Sequence, residues 1–527
     1  KNALRLQNND SDNYNIGIGH SAGENVTSGT TNTLIGGLAG DAMTIANQNV
    51  ALGYASLSAN VAANRNVAIG VQALNNMTSA TTSDTYNTAV GFYAGQAITS
   101  GTHNTIIGGL AGDALTTGGN NVAVGRSALS AEQEGGRNTA IGYAALLSQN
   151  TTSFAYNVAV GYNAGENITT GDENTIIGGL AGDALTTGAR NVVLGYGALS
   201  NEDGHGRNIA IGYNALNVQN AGADAYNVAI GYGVGASIST GAENTIIGGL
   251  AGDALTTGGN NTAIGTFALS AEDTGARNVA IGYNSLKNLN FDGNGYNTAM
   301  GYDSARSMTT GVQNTIMGGL AGDALTTGSR NVAIGYLALS SEDGDGRSVA
   351  VGWSALASQD AGADSYNTAV GYYAGALLST GNLNTIMGGL AGDAMTTAER
   401  NVAIGYGSLS GEDTGSRSTA VGYFALNAQN NASTNYNTAL GYGAGEDISS
   451  GVNNTVLGGL AGDALTTGSN NIIIGYNAAA SAVDVSNTIT MGDSNINLLR
   501  IPGLGSTDGH VLQYSSSDGG IVLAAAS

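Results

Sequence analysis

One pentapeptide recurs along almost the whole chain and limits what the chain can fold into. It reads Asn, any residue, a small or apolar residue, then Ile, Val, Leu or Met, then Gly, and it occurs 28 times between Asn15 and the copy that starts at Asn487. Successive copies lie 17, 17, 17 and 19 residues apart, so four copies make a super-repeat of 70 residues. This short period predicts a solenoid whose length follows the copy number, because each repeat contacts only its neighbours.

The four coils of each super-repeat differ in sequence. Each contains the pentapeptide, a second short apolar segment such as GLAG, and a polar loop. Glycine interrupts every coil and no 3.6-residue period persists, which disfavours helix. We predict an all-β fold, a parallel β-roll or β-solenoid of about 28 coils, with two short strands per coil. The second coil is the most constant, since NTIIGGLAGDALTTG at Asn104–Gly118 returns nearly unchanged from Asn174, Asn244, Asn314, Asn384 and Asn454, with a relative from Asn32.

The predicted strand is apolar on both faces. Positions two and four of the pentapeptide share one face and position three has the other, because side chains alternate along a strand. A strand that is apolar on both faces is buried on both. One face is therefore predicted to fill the interior and the other to meet a neighbouring chain. We expect position three to face outward, so that the isoleucine of the second coil is a bulky rung that sets the packing of the super-repeat.

The asparagine that opens almost every coil is predicted to be structural. Its side-chain amide would bond to the copies above and below, as stacked Asn side chains do in cross-β arrays. Only Ser348 and Ser418 replace it. We divide the chain into a lead-in of residues 1–14, a β-roll shaft of residues 15–492 and a small β cap or junction of residues 493–527. Within the last segment, Val511–Tyr514 and Ile521–Leu523 are predicted to form a hairpin.

Composition excludes several classes of function. The formal net charge is −23 with only 15 Lys and Arg, which argues against a nucleic-acid partner. The chain has no cysteine, so it has no disulfide framework and no thiolate metal site. No apolar run approaches 18 residues, so we predict no membrane insertion. No cofactor is predicted.

Segments such as NVAIGYLALS from Asn331 and NTAIGYAALL from Asn138 resemble the head repeats of YadA-type trimeric adhesins. The resemblance covers about residues 15–492 and implies left-handed parallel β-rolls in which three chains associate side by side. The C-terminal segment, NTITMGDSNINLLRIPGLG from Asn487, resembles the segment that follows such repeats in tail fibres of tailed bacteriophages. Taken together, the chain is similar to a phage tail fibre built from adhesin-type rolls.

This resemblance implies a homotrimeric, non-enzymatic fibre shaft that contributes to host attachment, located in the virion and outside the cell. The implied partners are other tail proteins and a glycan or protein of the host surface. Two alternatives remain open, namely the head of a bacterial trimeric surface adhesin and a polysaccharide-degrading tailspike. A tailspike would need paired carboxylates in one non-repeating groove, whereas the acidic residues of this chain are themselves repeated.

The aspartate of GGLAGDA is the candidate metal ligand. The motif is close to the calcium-binding nonapeptide GGxGxDxUx, but that site needs ligands from adjacent coils, and this aspartate recurs only in every fourth coil. A structural turn is the favoured interpretation and an ion site is the alternative. The aspartates are Asp41, Asp113, Asp183, Asp253, Asp323, Asp393 and Asp463.

Three further patterns were weighed against structural explanations. The third coil carries an acidic pair before an arginine, as in Glu132, Glu134 and Arg137, and we predict local pairing on a solvated loop. The GxSxG match at Gly19–Gly23 is a variant of the repeat GYNAG, so no catalytic residue is predicted. Tyrosines often follow the pentapeptide glycine and are predicted to pack along the repeats, with sugar stacking as the alternative.

Overall fold

The computed structural model describes residues 1–8, 12–78, 82–344, 346–496, 510–515 and 520–525. The chain forms two compact units, Lys1–Thr397 and Ala398–Ser527. Both consist of strands and turns, and no described residue is in a helix. The first unit has 22 coils and the second has six, each coil with one strand over the pentapeptide. The predicted all-β parallel β-solenoid of about 28 turns is confirmed.

The first unit contains 24 strands, of which 22 form a parallel sheet and two, β4 and β6, form a separate parallel pair. The strands are β1 (Ile16–Ile18), β2 (Thr33–Ile35), β3 (Val50–Leu52), β4 (Ala63–Asn64), β5 (Val67–Ile69), β6 (Ser83–Asp84), β7 (Thr88–Val90), β8 (Thr105–Ile107), β9 (Val122–Val124), β10 (Thr139–Ile141), β11 (Val158–Val160), β12 (Thr175–Ile177), β13 (Val192–Leu194), β14 (Ile209–Ile211), β15 (Val228–Ile230), β16 (Thr245–Ile247), β17 (Thr262–Ile264), β18 (Val279–Ile281), β19 (Thr298–Met300), β20 (Thr315–Met317), β21 (Val332–Ile334), β22 (Val349–Val351), β23 (Thr368–Val370) and β24 (Thr385–Met387).

The second unit stacks six strands in the same way and adds an antiparallel pair near the C-terminus. The pair confirms the predicted hairpin strands, because Val511 to Tyr514 pairs with Ala524 to Ile521. The strands are β25 (Val402–Ile404), β26 (Thr419–Val421), β27 (Thr438–Leu440), β28 (Thr455–Leu457), β29 (Ile472–Ile474), β30 (Ile489–Met491), β31 (His510–Ser515) and β32 (Gly520–Ala525).

Equivalent positions of successive pentapeptides lie directly above one another. In β11 and β12, for example, Ala159 pairs with Ile176 and Val160 pairs with Ile177. The glycine that ends each strand allows this close stacking. Gly178 has a φ of 139°, and a Cβ placed there would lie 2.4 Å from the carbonyl oxygen of Gly195 in the next coil. A side chain at this position would therefore collide with backbone.

The asparagine ladder is confirmed. The backbone N–H of Asn174 donates to Oδ1 of Asn157 at 2.8 Å, and Oδ1 of Asn174 in turn accepts from the backbone N–H of Asn191 at 2.9 Å. The amide nitrogen of Asn174 donates to the carbonyl of Gly188 at 2.9 Å, across the interior of the coil. Each asparagine thus satisfies two buried backbone groups that would otherwise be left without partners.

The prediction of a second strand in each coil is wrong. The segment after the pentapeptide glycine forms consecutive turns, because alternate residues adopt left-handed conformations: Leu180 has a φ of 54° and Gly182 a φ of 53°. The chain therefore curls back, with the N–H of Ala181 bonded to the carbonyl of Gly178 at 3.4 Å and that of Leu185 to the carbonyl of Gly182 at 3.2 Å. A run of left-handed residues cannot extend as a β-strand.

The predicted direction of the two strand faces is also wrong. Position three faces the interior, where Ile176 is fully buried, and positions two and four face outward. The reason is a match of volumes inside the coil. The Cδ1 atom of Ile176 would lie 3.2 Å from a Cβ on Gly165 and 3.4 Å from one on Gly182, so the isoleucine fills the space that these two glycines leave. The bulky rung exists, but it is an interior one.

Candidate functional site

The outward strand face is an uninterrupted apolar surface, which we call the strand face. In all 28 pentapeptide strands, position two is Thr, Val or Ile and position four is Ile, Val, Leu or Met. These side chains are exposed or half-buried; Leu194, for example, is 44% exposed and Leu440 is 52% exposed. No charged residue occurs at either position in the 28 strands. Monomeric proteins rarely expose contiguous apolar patches of this extent, so the strand face has the character of an interaction surface.

The aspartates of GGLAGDA lie on a turn at the side of the coil and fall into two groups. Oδ1 of Asp41 accepts from the hydroxyl of Ser58 at 2.5 Å, and Oδ1 of Asp113 accepts from that of Ser130 at 2.7 Å. In a second group, Oδ1 is buried without a hydrogen-bond partner, and burial raises the pKa of each carboxyl above its usual range. This group comprises Asp183, Asp253, Asp323 and Asp393.

The structure does not bring these aspartates together with other potential ligands. Among the described residues, none of the seven belongs to a group of three carboxylate or histidine side chains close enough to share an ion. The last of them, Asp463, is half-buried on the same turn of its own coil. Each aspartate therefore stands alone on its coil, and the site chemistry they offer is that of single carboxylates.

The prediction for the acidic loops of the third coil is wrong for the first residue of each pair. Glu132 is fully buried and accepts from the backbone N–H of Gly135 at 2.8 Å and from Nε2 of Gln149 at 3.1 Å. Its distant donor comes from the next coil, which sequence order conceals. The equivalent residues Glu202, Glu272, Glu342 and Glu412 are also fully buried, and burial raises the pKa of Glu272 and Glu412.

The arginines that follow these loops bond to the next coil instead. Arg277 donates to the hydroxyl of Tyr296 at 2.7 Å and Arg417 to that of Tyr436 at 2.6 Å. Arg207 contacts both Asp224 and Tyr226. The same arginine–tyrosine contact occurs at Arg65, Arg137 and Arg347. These exposed contacts link the third coil to the tyrosine that precedes the next super-repeat.

Two loops bring three potential metal ligands close together. The ligand atoms of Glu202, Asp203 and His205 lie within 4.8 Å of one another, and so do those of Glu342, Asp343 and Asp360. The sequence interpretation missed the first group because the four histidines occupy no common repeat position. Their signal was local: His205 lies within the acidic loop itself. Glu202 already accepts hydrogen bonds from His205 N at 3.2 Å and Gln219 Nε2 at 3.3 Å.

Aromatic side chains that follow the pentapeptide glycine stack in the third, fourth and first coils. Tyr196 and Tyr213 have ring centroids 5.7 Å apart and planes 13° apart, and Tyr213 and Tyr232 are 5.4 Å and 10° apart. In the second unit, Tyr423 lies between Tyr406 and Tyr442. The predicted packing along the repeats is confirmed for these rings. The second coil has glycine at this position, so each stack ends there.

No known protein family and no curated protein sequence matches this chain. Its fold and chemistry therefore carry the functional argument. Of the described residues, none lies in a helix long and apolar enough to cross a membrane. The serine of the GxSxG match, Ser21, is 4% exposed. A nucleophile in this position would be closed off from a substrate.

Proposed function

We propose that this chain is the non-enzymatic shaft of a homotrimeric fibre, which belongs to a bacteriophage tail and contributes to host attachment. The strand face carries the proposal. It repeats the same two apolar side chains in every pentapeptide strand, and such a surface is stable in water only when it is covered.

A second copy of the chain is the occupant that fits the strand face best. The apolar pairs repeat at the rise of one strand, ~4.8 Å, and the coils that carry them follow a pattern of 17, 17, 17 and 19 residues. A partner that covers every pair must have the same rise and the same pattern. Another copy has both by construction. The resemblance to trimeric adhesin heads favours three copies.

Sedimentation equilibrium of the full chain tests the assembly. We expect a particle mass three times the chain mass of 52.1 kDa. A monomer at micromolar concentration would contradict the trimer. The expected trimer should also dissociate when aspartate replaces the apolar residue at position four in several neighbouring strands.

Immunogold electron microscopy tests the proposed location. Antibodies against the chain should label the tails of phage particles purified from a lysate that expresses it. Label on the bacterial surface would favour the adhesin alternative instead. Release of reducing ends from host polysaccharide by the purified chain would favour the tailspike alternative, and we expect none.

A further inference from the structure

Each aromatic stack is interrupted at the second coil, where glycine replaces the aromatic residue. Tyr162 and Tyr196 belong to the coils on either side of Gly179. Tyr162 stacks on Tyr143 with ring centroids 5.3 Å apart, and Tyr196 stacks on Tyr213, so both walls are held by the rings behind them. We call the gap between Tyr162 and Tyr196 an aromatic slot, with Gly179 as its floor.

Ring exposure shows that one wall of the slot is bare. Tyr162 is 57% exposed, whereas Tyr143, which has a ring on each side in other super-repeats, is 45% exposed. The second unit repeats the difference, since Tyr442 beside a glycine coil is 59% exposed and Tyr423 within the stack is 42% exposed. The tyrosine that precedes the glycine thus lacks a neighbour on one face.

The slot has room for one ring. Its two walls are separated by two coils, which at the strand spacing is ~10 Å. A ring midway would lie ~5 Å from each wall, within the range at which aromatic rings stack on a neighbour. The floor leaves this space free, because a Cβ on Gly179 would lie 3.4 Å from Cδ2 of Tyr196 and 3.9 Å from the carbonyl oxygen of Tyr162.

Charge narrows the ring to a neutral one. The chain carries a formal charge of −23, which repels nucleotides and acidic sugars. A neutral pyranose fits the two walls, since its C–H faces present partial positive charge to the negative faces of the tyrosines. Its hydroxyl groups would project from the edge of the slot into water.

We propose that the aromatic slots bind neutral pyranose units of a glycan. This proposal rests on the proposed role in host attachment and names the ligand class for it. Two other slots have a tyrosine on both sides within one unit, with floors at Gly319 and Gly459 and walls at Tyr302, Tyr336, Tyr442 and Tyr476.

Filling the slots tests the proposal, because the fold already accepts tyrosine at the same position in the sister coils. The triple variant Gly179→Tyr, Gly319→Tyr and Gly459→Tyr would complete the stacks. The control variant Gly249→Tyr changes the same coil position where only Tyr232 is aromatic and Thr266 stands on the other side. Binding of maltohexaose, cellohexaose and mannohexaose to the full chain is measured by saturation-transfer difference NMR and titration calorimetry.

We expect the unmodified chain and the control to bind at least one of these oligosaccharides and the triple variant to bind it at least tenfold more weakly, with unchanged particle mass. Retained binding by the triple variant, or no binding of any of the three by the unmodified chain, would overturn the proposal. A changed mass of the triple variant would also overturn it, because the slots would then receive side chains of a second copy.

Attachment of the labelled chain to host cells is measured in parallel. Attachment without sugar binding would remove the slots and leave the fibre proposal intact. Sugar binding without attachment would remove the attachment role and leave the slots as binding sites.

Discussion

Gln149 connects the buried carboxylate of one coil to the asparagine ladder of the next. Its Nε2 donates to Glu132 at 3.1 Å, and its Oε1 accepts from Nδ2 of Asn157 at 3.0 Å. The backbone N–H of Thr151 adds a further donor to Glu132 at 3.1 Å. A polar network of this kind is stabilising only while every member keeps its partner.

The Glu132→Ala variant should lower the free energy of unfolding by about 3 kcal/mol, because three buried donors lose one charged acceptor. Hydrogen exchange at the amides of Gly135 and Thr151 should accelerate, since both donate to this carboxylate. Glu134→Ala is the matched control, because Glu134 is exposed in the same loop. Equal effects of the two variants would contradict the structural role of the buried glutamate.

Adjacent glycines of the second coil should respond very differently to alanine. Gly178→Ala should cost about 3 kcal/mol of stability, because the φ of 139° and the carbonyl 2.4 Å away leave no place for a Cβ. Gly179→Ala should change stability by less than about 0.5 kcal/mol. Thermal denaturation of both variants checks this, and a stable Gly178→Ala protein would argue against the close stacking of coils.

Adjacent isoleucines of β12 separate the interior from the strand face. Ile176→Ala should cost about 3 kcal/mol, since it opens a cavity in a fully buried position. Ile177→Asp lies on the outer face, where the side chain is 38% exposed. It should leave the circular dichroism spectrum unchanged and weaken association in sedimentation experiments. If Ile177→Asp unfolds the chain and Ile176→Ala does not, the assignment of the two faces is reversed.

Burial raises the pKa of Asp183, Asp253 and Asp323 above the ordinary value of 3.8. The folded chain then binds these protons more tightly than the unfolded chain, so their contribution to stability is complete below pH 3.8 and is lost as pH rises through the raised pKa. The triple Asp→Asn variant should therefore be more stable than the parent at pH 7, and the two stabilities should converge near pH 3. Denaturant titrations between these values measure the difference.

The control for this pH dependence is Asp113→Asn. The carboxylate of Asp113 already accepts a hydrogen bond from Ser130 at 2.7 Å, so its replacement should bring no gain at pH 7. A gain equal to that of the other aspartates would show that net charge, and not the unpaired buried oxygen, limits stability.

Spacing alone was enough to predict the strands and the asparagine ladder. A parallel stack with one strand per coil requires equal spacing, and Asn157, Asn174 and Asn191 follow it. The two-residue period also separated Ile176 from Ile177, but it could not say which of them faces inward. That choice depends on Gly165 and Gly182, whose missing side chains create the space that Ile176 fills.

The turn and the buried carboxylate were hidden for different reasons. Leu180 adopts a φ of 54°, a conformation that leucine disfavours, so its residue type gave no signal of the turn. Glu132 looks like a surface residue because its donors Gln149 and Thr151 are 17 and 19 residues away in the chain. Both features arise from contacts between coils, which no local window of sequence contains.

The backbone hydrogen bonds between coils determine how the stack responds to tension. The N–H of Val158, for example, donates to the carbonyl of Asn174 in the next coil at 2.8 Å. Bonds of this kind point along the stacking direction, so a pull along that direction loads successive layers in series. The weakest layer therefore yields first, and each 17-residue coil that detaches releases ~60 Å of chain. Such a stack lengthens in steps under force and dissipates a load before any single contact must carry all of it.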